Sequence, residues 1–469
     1  MSRTRTSSAL ELLLIIDRSD PRPLHHQLEG ELRAAIRTGR LAPATTLPST
    51  RGLAGQLGVS RGIVVEAYEQ LAAEGYLVSR PGGTTRVARL AIPAPPRPFV
   101  PAVARPLFDF RPGRPALDEF PRMAWLRSIR RVLDRTPSDR FGYLDGRGVP
   151  ELRLAIADYV RRVRGVSLDA DDVVVCTGFA QALRLVATVV RAAGLRRVAL
   201  EDPSDPDYRE TVRAAGLEVS AVPVDEAGLR VDRLAESRAE VVLVTAAHQY
   251  PTGGVLSADR RAGLVDWAAH RPGLVIEDDY DAEFRYDREP IGAIQGLDPA
   301  RVIYAGSASK VLAPGLRLGW LAAPPALADA IAAAKLRADS GSSALDQLAL
   351  ADFLGRGELD RHLRRMRPIY RRRRDTLLAA LARDLPTLRP TGASAGLHLL
   401  AWLPEDIDED AVVTAALAAG IAIAGLRPRR ITPAGSGGLI FGYGAVDDAG
   451  IEAGVRRLAE VIASVSARG

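Results

Sequence analysis

The chain has 469 residues, of which 47% are hydrophobic and 26% are charged. This length predicts two or three domains, with ample apolar side chains for a large core. The single cysteine excludes a framework of internal disulfides and fits the reducing cytoplasm, which is the compartment we expect. The net charge of +6 permits binding to nucleic acid without arguing for it by itself.

The residue pattern excludes three further classes. No run of about 18 apolar residues without charge occurs, so we expect no membrane-spanning helix. The apolar stretch at 10–16 contains Glu11 and lacks a small-residue cleavage site, so we expect no secretion signal. The six histidines do not show the spacing of metal ligands, so we expect no metal site.

The first predicted elements are helices. Residues 23–41 have apolar positions at helical spacing, which end at a glycine. Residues 47–87 predict a helix, a tight turn at Gly58, a second helix and a short hairpin. Ser49 or Thr50 is predicted to cap the first helix of this pair.

Ser60 is predicted to cap the second helix, which then runs to about Glu74, before Gly75. Two short helices joined by a glycine turn are typical of a helix-turn-helix, whose second helix presents its first residues to the DNA major groove. An arginine at a helix start can reach a phosphate or a guanine edge. We therefore expect operator DNA to contact the helix starts and the hairpin, at Ser49, Thr50, Arg51, Ser60, Arg61, Gly62 and Arg80.

Three sequence stretches in this segment carry a resemblance to a known family. LPSTRGLA, LGVSRGIVVEAYEQL and EGYLVSRPGG resemble the winged helix-turn-helix domain of the GntR family of bacterial transcription regulators. The wing departs from the family pattern, since it is GGTTRV, and Ile63 stands where a threonine is common, so one phosphate contact is expected to be missing. The alternative is a helical protein-interaction module. We assign residues 1–88 to the DNA-binding domain.

A proline-rich stretch follows. Residues 89–106 contain six prolines and show no helical or alternating period, which predicts an extended, semi-rigid linker.

The remaining segment, 107–469, alternates short apolar runs with helical patterns, which predicts an α/β fold with a mostly parallel sheet. The runs are rich in β-branched residues and suit strands that are buried on both faces. They are VVVC (173–176), RVAL (197–200), VVLVT (241–245), LVIE (274–277), VIYA (302–305) and LGWLAA (318–323).

Polar residues directly after these runs are the candidates for a binding site, because ligands bind at strand ends and helix starts. Asp278 follows a buried strand, where a carboxylate is costly without a positive partner such as a protonated pyridine nitrogen. Tyr280 can donate to a phenolate oxygen. Ala180 and Gln181 open a helix whose backbone amides can hold a phosphate.

Lys310 is one of only two lysines among the 63 basic residues of the chain. Arginine is always protonated, whereas a buried lysine can lose its proton and act as an amine nucleophile. Ser307 precedes it, and Arg317 follows where it can clamp a phosphate with two parallel N–H bonds. An amine, a carboxylate, a phenol and a phosphate cup are together what pyridoxal 5′-phosphate requires.

The arrangement resembles the fold-type I aminotransferases, and the whole chain resembles the MocR/GabR subfamily of GntR-type regulators. The motifs are FGYLDGRGVPELR (141–153), TGFAQAL (177–183), HQYPTG (248–253), EDDYDAEFRY (277–286) and SASKVLAPGLRLGW (307–320). The resemblance implies that Lys310 carries the cofactor covalently and that Asp278 pairs with its pyridine nitrogen. It implies that Tyr280 bonds the phenolic oxygen, and that Ser307, Arg317 and the Ala180 and Gln181 amides hold the phosphate.

The resemblance also implies a homodimer, because Tyr143 aligns with a tyrosine that aminotransferases extend to the neighbouring subunit's phosphate. His248 and Tyr250 are further pocket candidates, with Tyr250 in place of the family's asparagine. Asp205 stands where relatives stack an aromatic ring on the cofactor, which Tyr208 or another ring would have to replace. Arg427 and Arg429 are both candidates to bind an effector carboxylate.

Three functions remain open on the sequence. The first is a transcription regulator that senses a small molecule, either an amino compound or the cofactor itself, without being a turnover enzyme. The second is an active aminotransferase with an accessory DNA-binding domain. The third is a DNA-binding protein whose large domain has lost the cofactor and only dimerises, which the retained Lys310, Asp278 and Tyr280 argue against.

Overall fold

The computed structural model describes residue 14 and residues 16–79, 84–89, 105–270, 273–286, 291–392, 395–433 and 435–467. The chain divides into two compact units, Met1–Ala104 and Arg105–Gly469. Most of the predicted linker lies outside the described residues, so the linker and the domain bounds remain predictions.

The N-terminal unit consists of three helices and a hairpin. They are α1 (Leu24–Arg37), α2 (Thr50–Leu57), α3 (Arg61–Ala73), β1 (Leu77–Val78) and β2 (Arg86–Val87). The two strands pair antiparallel. Every element contributes to one small core, in which Leu32, Leu53, Val64, Leu71, Leu77 and Val87 are almost fully buried.

Two serines of this unit were predicted to cap helices, and the structure shows a side-chain cap at only one of them. The Oγ of Ser49 accepts a hydrogen bond from the Gly52 amide at 3.1 Å, which confirms the predicted cap of α2. Gly58 ends that helix with a φ of 62°, in the left-handed region that favours glycine. Ser60 occupies the cap position of α3, but the predicted side-chain cap is wrong. The amide that its hydroxyl would cap, that of Ile63, already bonds to the Ser60 carbonyl oxygen at 3.2 Å.

The C-terminal unit is built around one eight-stranded sheet with the order β4-β11-β10-β9-β8-β5-β6-β7. Strands β10, β9, β8, β5 and β6 run parallel to one another, whereas β11 is antiparallel to both of its neighbours and β7 is antiparallel to β6. The strands are β4 (Val173–Cys176), β5 (Arg197–Asp202), β6 (Glu218–Asp225), β7 (Gly228–Leu229), β8 (Val241–Val244), β9 (Leu274–Asp279), β10 (Val302–Ser307) and β11 (Gly319–Ala322).

The predicted mostly parallel sheet is confirmed, and each of the six apolar runs forms a strand. All four residues of β4, β8 and β11 are buried, as expected for strands covered on both faces. Strand β6 was not predicted from the sequence. It lies near the edge of the sheet, and seven of its eight residues are partly or fully exposed, Glu218 and Pro223 among them.

Helices surround this sheet and link it to a smaller one. They are α4 (Arg122–Arg135), α5 (Pro150–Arg164), α6 (Phe179–Ala192), α7 (Pro206–Ala214), α8 (Val231–Glu236), α9 (Ala258–Ala269), α10 (Ala308–Val311), α11 (Pro325–Asp339), α12 (Ala344–Gly355), α13 (Glu358–Asp384), α14 (Glu409–Ala418) and α15 (Asp448–Ser466). None of the helices among the described residues is long and apolar enough to cross a membrane.

The smaller sheet is antiparallel, with the order β12-β13-β16-β15. Its strands are β12 (Arg389–Thr391), β13 (His398–Trp402), β15 (Ala424–Gly425) and β16 (Gly438–Gly442). A separate parallel pair joins β3 (Phe108–Asp109) to β14 (Ile421–Ala422). This pair ties the start of the unit to its C-terminal part.

The contrast between the two serines predicts unequal effects on α2 and α3. Ser49→Ala removes a side-chain cap, which should destabilise α2 by about 1 kcal/mol and speed the exchange of its amide hydrogens roughly fivefold. Ser60→Ala removes a hydroxyl without a capping bond, so the exchange of α3 should change little. Hydrogen exchange of the full chain, followed by mass spectrometry of peptides covering 50–57 and 61–73, compares the two. Equal acceleration of both helices would contradict the assignment.

Candidate functional site

A cavity of about 290 Å³ lies at the carboxyl ends of the parallel strands, where ligands bind in sheets of this kind. Side chains from several strand ends converge on it, although they are far apart in the sequence. Most of the predicted cofactor residues line it, namely Ala180, Tyr250, Asp278, Tyr280, Ser307, Lys310 and Arg317.

Lys310 lies on the short helix α10, directly after β10. Its Nζ donates a hydrogen bond to the carbonyl oxygen of Gly113 at 2.8 Å. Burial lowers the pKa of this amine below its usual range, against the pull of Asp278 and other carboxylates nearby. A lowered pKa favours the neutral, nucleophilic form of the amine.

Asp278 is 4% exposed and is the fifth residue of β9. Its Oδ2 accepts a hydrogen bond from the hydroxyl of Tyr208 at 2.6 Å. Burial raises the pKa of the Asp278 carboxyl to about 8, although the Tyr208 bond and Lys310 act in the opposite direction. A cation placed against this carboxylate would therefore stabilise it strongly.

Tyr280 is held by a buried histidine. Its hydroxyl donates to the carbonyl oxygen of His248 at 2.9 Å, and the Nδ1 of the same histidine is 3.0 Å away. Nδ1 also lies 3.0 Å from the Oδ2 of Asp281. His248 is not among the residues that line the described cavity, and it contacts the site through Tyr280, Asp281 and the His398 ring.

The opposite end of the cavity is formed by the start of α6 and by Arg317. The first amides of an α-helix have no partner within the helix, which leaves those of α6 available at the Ala180 end. Arg317 adopts a φ of 53°, unusual for a residue with a side chain. Its guanidinium lies beside Gly178, where an added Cβ would come within 3.2 Å of Nη2. Gly178 also has a φ of 101°, in the region that favours glycine, so a side chain at this position would be strained.

Gln181 does not line the cavity, and its side chain braces the loop before α6 instead. Its Oε1 accepts from the Thr177 amide at 2.8 Å, and its Nε2 donates to Asp339 at 2.6 Å. Lys335, which is 1% exposed, donates to the same Asp339 carboxylate at 2.7 Å. The second lysine of the chain is thus engaged in an ion pair behind the site.

Two aromatic rings stand near the position of Asp205. The Asp205 side chain caps α7 by accepting from the Asp207 amide at 2.9 Å. Tyr208 and Phe179 line the cavity beside it, and their ring centroids are 5.3 Å apart in an edge-to-face arrangement. Both rings are therefore available where the sequence lacks the usual aromatic residue.

The two arginines predicted to bind an effector have different surroundings. Arg429 donates from Nε to the hydroxyl of Tyr250 at 2.9 Å, and Tyr250 lines the cavity. Arg427 has a side chain that is 49% exposed, and its Nη1 lies 3.7 Å from Asp410. Arg429 is therefore the arginine near the cavity.

Tyr143 lies on the surface of the C-terminal unit with 98% of its area exposed. It does not line the cavity of its own chain. Its predicted role toward a neighbouring subunit stays a prediction.

The predicted DNA-contacting residues that the structure describes lie on one part of the N-terminal unit, at the starts of α2 and α3. Arg51 and Gly62 are exposed at these helix starts. The Nε of Arg61 donates to the Oγ1 of Thr50 at 3.4 Å, which links the two starts. Arg80 lies outside the described residues.

The structure also brings residues to the site that the sequence reasoning missed. Gly113 provides the carbonyl for Lys310 and must be small, because a Cβ there would lie 2.6 Å from Nζ. His398 lines the cavity, and Asp281 supports His248. The only available signal for Asp281 was its place in the acidic stretch EDDYDAE; nothing in the sequence connected Gly113 or His398 to Lys310.

Comparison with known families matches both units. Residues 24–87 match the bacterial regulatory proteins of the gntR family. Residues 117–436 match the aminotransferases of class I and II.

Curated relatives match almost the whole chain. The pyridoxine biosynthesis transcriptional regulator PdxR of Corynebacterium glutamicum is 35% identical over 93% of this chain and 96% of its own length. The probable rhizopine catabolism regulatory protein MocR of Rhizobium meliloti is 32% identical over 97% of each chain.

Solved structures match the C-terminal unit. The multiple substrate aminotransferase of Thermococcus profundus superposes with a TM-score of 0.72 at 29% identity, covering 78% of this chain and 94% of its own. The α-aminoadipate aminotransferase LysN of Thermus thermophilus gives a TM-score of 0.71 at 28% identity, covering 77% and 93%.

The raised pKa of Asp278 predicts that Asp278→Asn stabilises the cofactor-free protein relative to the parent, by an amount that grows as the pH rises. The folded carboxyl has a pKa of about 8, whereas in the unfolded chain it is about 3.9. Between these values the folded state binds more protons, so this group favours unfolding increasingly from about pH 4 to about pH 8. Asparagine does not titrate and keeps an oxygen that accepts from Tyr208.

The measurement is the thermal unfolding midpoint of parent and variant at several pH values in this window. We expect the variant's advantage to grow from acidic to neutral pH. A difference that stays constant with pH would count against a buried, destabilised Asp278 carboxylate.

Proposed function

The chain belongs to the helix-turn-helix transcriptional regulators of the GntR type that carry an aminotransferase class I and II domain, and we propose that it binds pyridoxal 5′-phosphate and regulates transcription in response to a small molecule. The observation that carries the cofactor proposal is the convergence of Lys310, Asp278 and Tyr280 on one cavity. Asp278 and Tyr280 come from the end of β9, and Lys310 comes from the helix that follows the adjacent parallel strand β10.

The donor set fits the cofactor. Bound pyridoxal 5′-phosphate supplies an aldehyde that condenses with amines and a ring that withdraws electrons. Lys310 is the amine that would hold it, since arginine cannot do so and burial favours its neutral form. Asp278 would pair with the pyridine nitrogen and keep the proton there. The Tyr280 hydroxyl would turn its hydrogen from the His248 carbonyl oxygen to the phenolic oxygen.

The phosphate end would be held by groups with fixed geometry. Ser307 and Arg317 line the cavity with the start of α6, and together they offer a hydroxyl, a guanidinium and backbone amides. Gln181 and Lys335 stabilise the loop before α6 from behind. The bare backbone at Gly178 leaves room for the guanidinium.

The effector would enter the same cavity. Arg429 is the better candidate to bind its carboxylate, because Arg429 contacts Tyr250 on the cavity wall while Arg427 is half-exposed beside Asp410. Tyr208 and Phe179 would supply the aromatic contacts that Asp205 cannot make. The effector is either an amino compound that reacts with the cofactor or the cofactor itself.

We further propose that the functional form is a homodimer on operator DNA. Tyr143 is almost fully exposed, as required for a residue that reaches a neighbouring subunit. Large apolar side chains near it in sequence are exposed as well: Met123, Leu126, Leu133 and Phe141. An exposed apolar surface of this kind marks an interface, and a dimer would present two copies of α3 to two half-sites.

An active aminotransferase with an accessory DNA-binding domain is the second candidate. The observation that favours it is the retained lysine in a fold shared with working aminotransferases. Multiple turnovers with an amino donor and a keto acceptor would support this candidate, whereas a single half-reaction without turnover would support the regulator.

Reduction with borohydride tests the cofactor assignment. The protein as purified with pyridoxal 5′-phosphate should show a visible absorbance band, and reduction should fix a phosphopyridoxyl group on Lys310. Since the chain has only one other lysine, Lys335, peptide mass mapping distinguishes the two sites, with Lys335 as an internal control. Lys310→Ala should lose the visible band and the fixed group. A group recovered on Lys335 would refute the role of Lys310.

Arg61→Ala tests the DNA-binding assignment. If Arg61 reads a base edge, operator affinity should fall by roughly 1–3 kcal/mol with a smaller loss on a scrambled duplex. If it contacts only phosphate, the loss should be similar on both duplexes and the salt dependence should weaken by about one unit. Fluorescence anisotropy at two salt concentrations separates these outcomes.

Arg383→Ala is the matched control, because it removes one exposed arginine from the C-terminal unit, where Arg383 is paired with the neighbouring Asp384. It should leave affinity for both duplexes as in the parent. Binding of Arg61→Ala that equals the control on both duplexes would remove α3 from the DNA interface.

A further inference from the structure

Four side chains that can bind a metal ion lie together on the N-terminal unit, where α1 packs against α3. His25, His26 and Glu29 lie in the first two turns of α1, and Glu66 lies on α3. The ligand atoms of the first three all lie within 4.8 Å of one another. The two imidazole rings are neighbours, with centroids 4.1 Å apart. Imidazole nitrogens and carboxylate oxygens are ligands that Zn²⁺ takes in proteins.

The distances between these groups are close to those that one zinc ion imposes on its ligands. Zn²⁺ binds nitrogen and oxygen atoms at about 2.0–2.2 Å in tetrahedral geometry, which places two of its ligand atoms roughly 3.3–3.6 Å apart. The Nδ1 of His26 lies 3.2 Å from the Oε2 of Glu29. The Nε2 of His25 lies 3.7 Å from the Oε1 of Glu66, which is too far for a hydrogen bond. A shared cation accounts for both distances.

The burial of Glu29 points to a cation independently of these distances. Its side chain is 7% exposed, and a buried carboxylate is destabilised unless a positive charge faces it. Among the residues that the structure describes, the carboxylate has one hydrogen-bond or ion-pair partner, His26. That imidazole is charged only when it is protonated, whereas a bound divalent ion supplies a permanent positive charge.

We propose that His25, His26, Glu29 and Glu66 bind one Zn²⁺ ion, which links the start of α1 to α3. Two neutral imidazoles and two carboxylates match the ligand types and the ligand number of a four-coordinate zinc site. The side chains of His26 and Glu66 are 60% and 61% exposed, so they are free to rotate and close the remaining gaps. The ion fastens α3, the helix predicted to contact DNA, to α1. Histidine spacing did not indicate this site, because Glu66 joins it only through the packing of the two helices.

Zinc titration of the full-length protein, first freed of metal with a chelator, tests the site. A chromogenic chelator that competes for Zn²⁺ gives the stoichiometry and the Kd. The parent should bind one ion per chain with a Kd of about 10 µM or lower. Hydrogen exchange of peptides covering 24–37 and 61–73 should slow when zinc is added, because an ion that binds only the folded state stabilises it.

Two variants each remove one ligand, and they do so from different helices. His26→Gln and Glu66→Gln change side chains that are more than half exposed, so both should fold, which their unfolding midpoints without zinc will check. Each should weaken zinc binding about tenfold or more. His270→Ala is the matched control, because it removes an exposed histidine of the C-terminal unit that contacts the backbone oxygen of Asp266. It should bind zinc as the parent does.

The other outcomes decide against the proposal. A parent with a Kd for zinc above about 10 µM overturns it, as does binding that both variants retain, since the ion would then lie elsewhere. Weaker binding in His26→Gln with none in Glu66→Gln would confine the ion to α1 and overturn the link between the helices. Equal weakening in His270→Ala would show uptake by surface histidines in general. None of these measurements involves the cofactor, so the inference stands or falls separately from the proposed function.

Discussion

Charge buried at the end of β9 is the constraint around which the C-terminal unit is arranged. A carboxylate removed from water is destabilised unless a cation or several donors face it. The parallel register pairs Ala305 of β10 with Asp278 of β9, so the helix that follows β10 places Lys310 close enough to affect the Asp278 carboxyl. Each of these two groups lowers the electrostatic cost of burying the other, and a cofactor with a positive ring nitrogen would add to this balance.

The two neighbouring carboxylates of β9, Glu277 and Asp279, differ from Asp278 because both are held by structural partners. Glu277 accepts from the amides of Ile294 and Gln295 at 3.0 and 3.2 Å. Asp279 is paired with Arg164, whose Nε lies 2.6 Å from Oδ2. These two carboxylates point away from the cavity into permanent structural contacts. Asp278 alone of the three has a partner, the Tyr208 hydroxyl, that lies in the cavity wall and can yield to a ligand.

Local patterns in the sequence were sufficient for the strands and for Lys310. A run such as VVLV has no polar position to expose, so its burial between helices follows from composition. The contrast of two lysines with many arginines likewise needs no structure. His398 could not be predicted, because its place in the cavity wall depends on the His248 and Tyr250 rings, which come from a loop far away in the sequence. The prediction of a Ser60 side-chain cap was wrong for a similar reason over a shorter distance. The sequence does not show which oxygen accepts from the Ile63 amide, and in the structure it is the Ser60 carbonyl oxygen.

The pairing of Lys335 with Asp339 has a consequence for the chemical reactivity of the whole surface. Lys335 is buried in this ion pair, and Lys310 is partly buried in the cavity, so neither of the two lysine amines of the chain lies on the open surface. Acylating reagents and amine-directed cross-linkers therefore have no lysine on the open surface to modify, so lysine labelling cannot map that surface. Enzymes that attach acetyl groups or small protein tags to lysine would likewise find neither amine on the open surface.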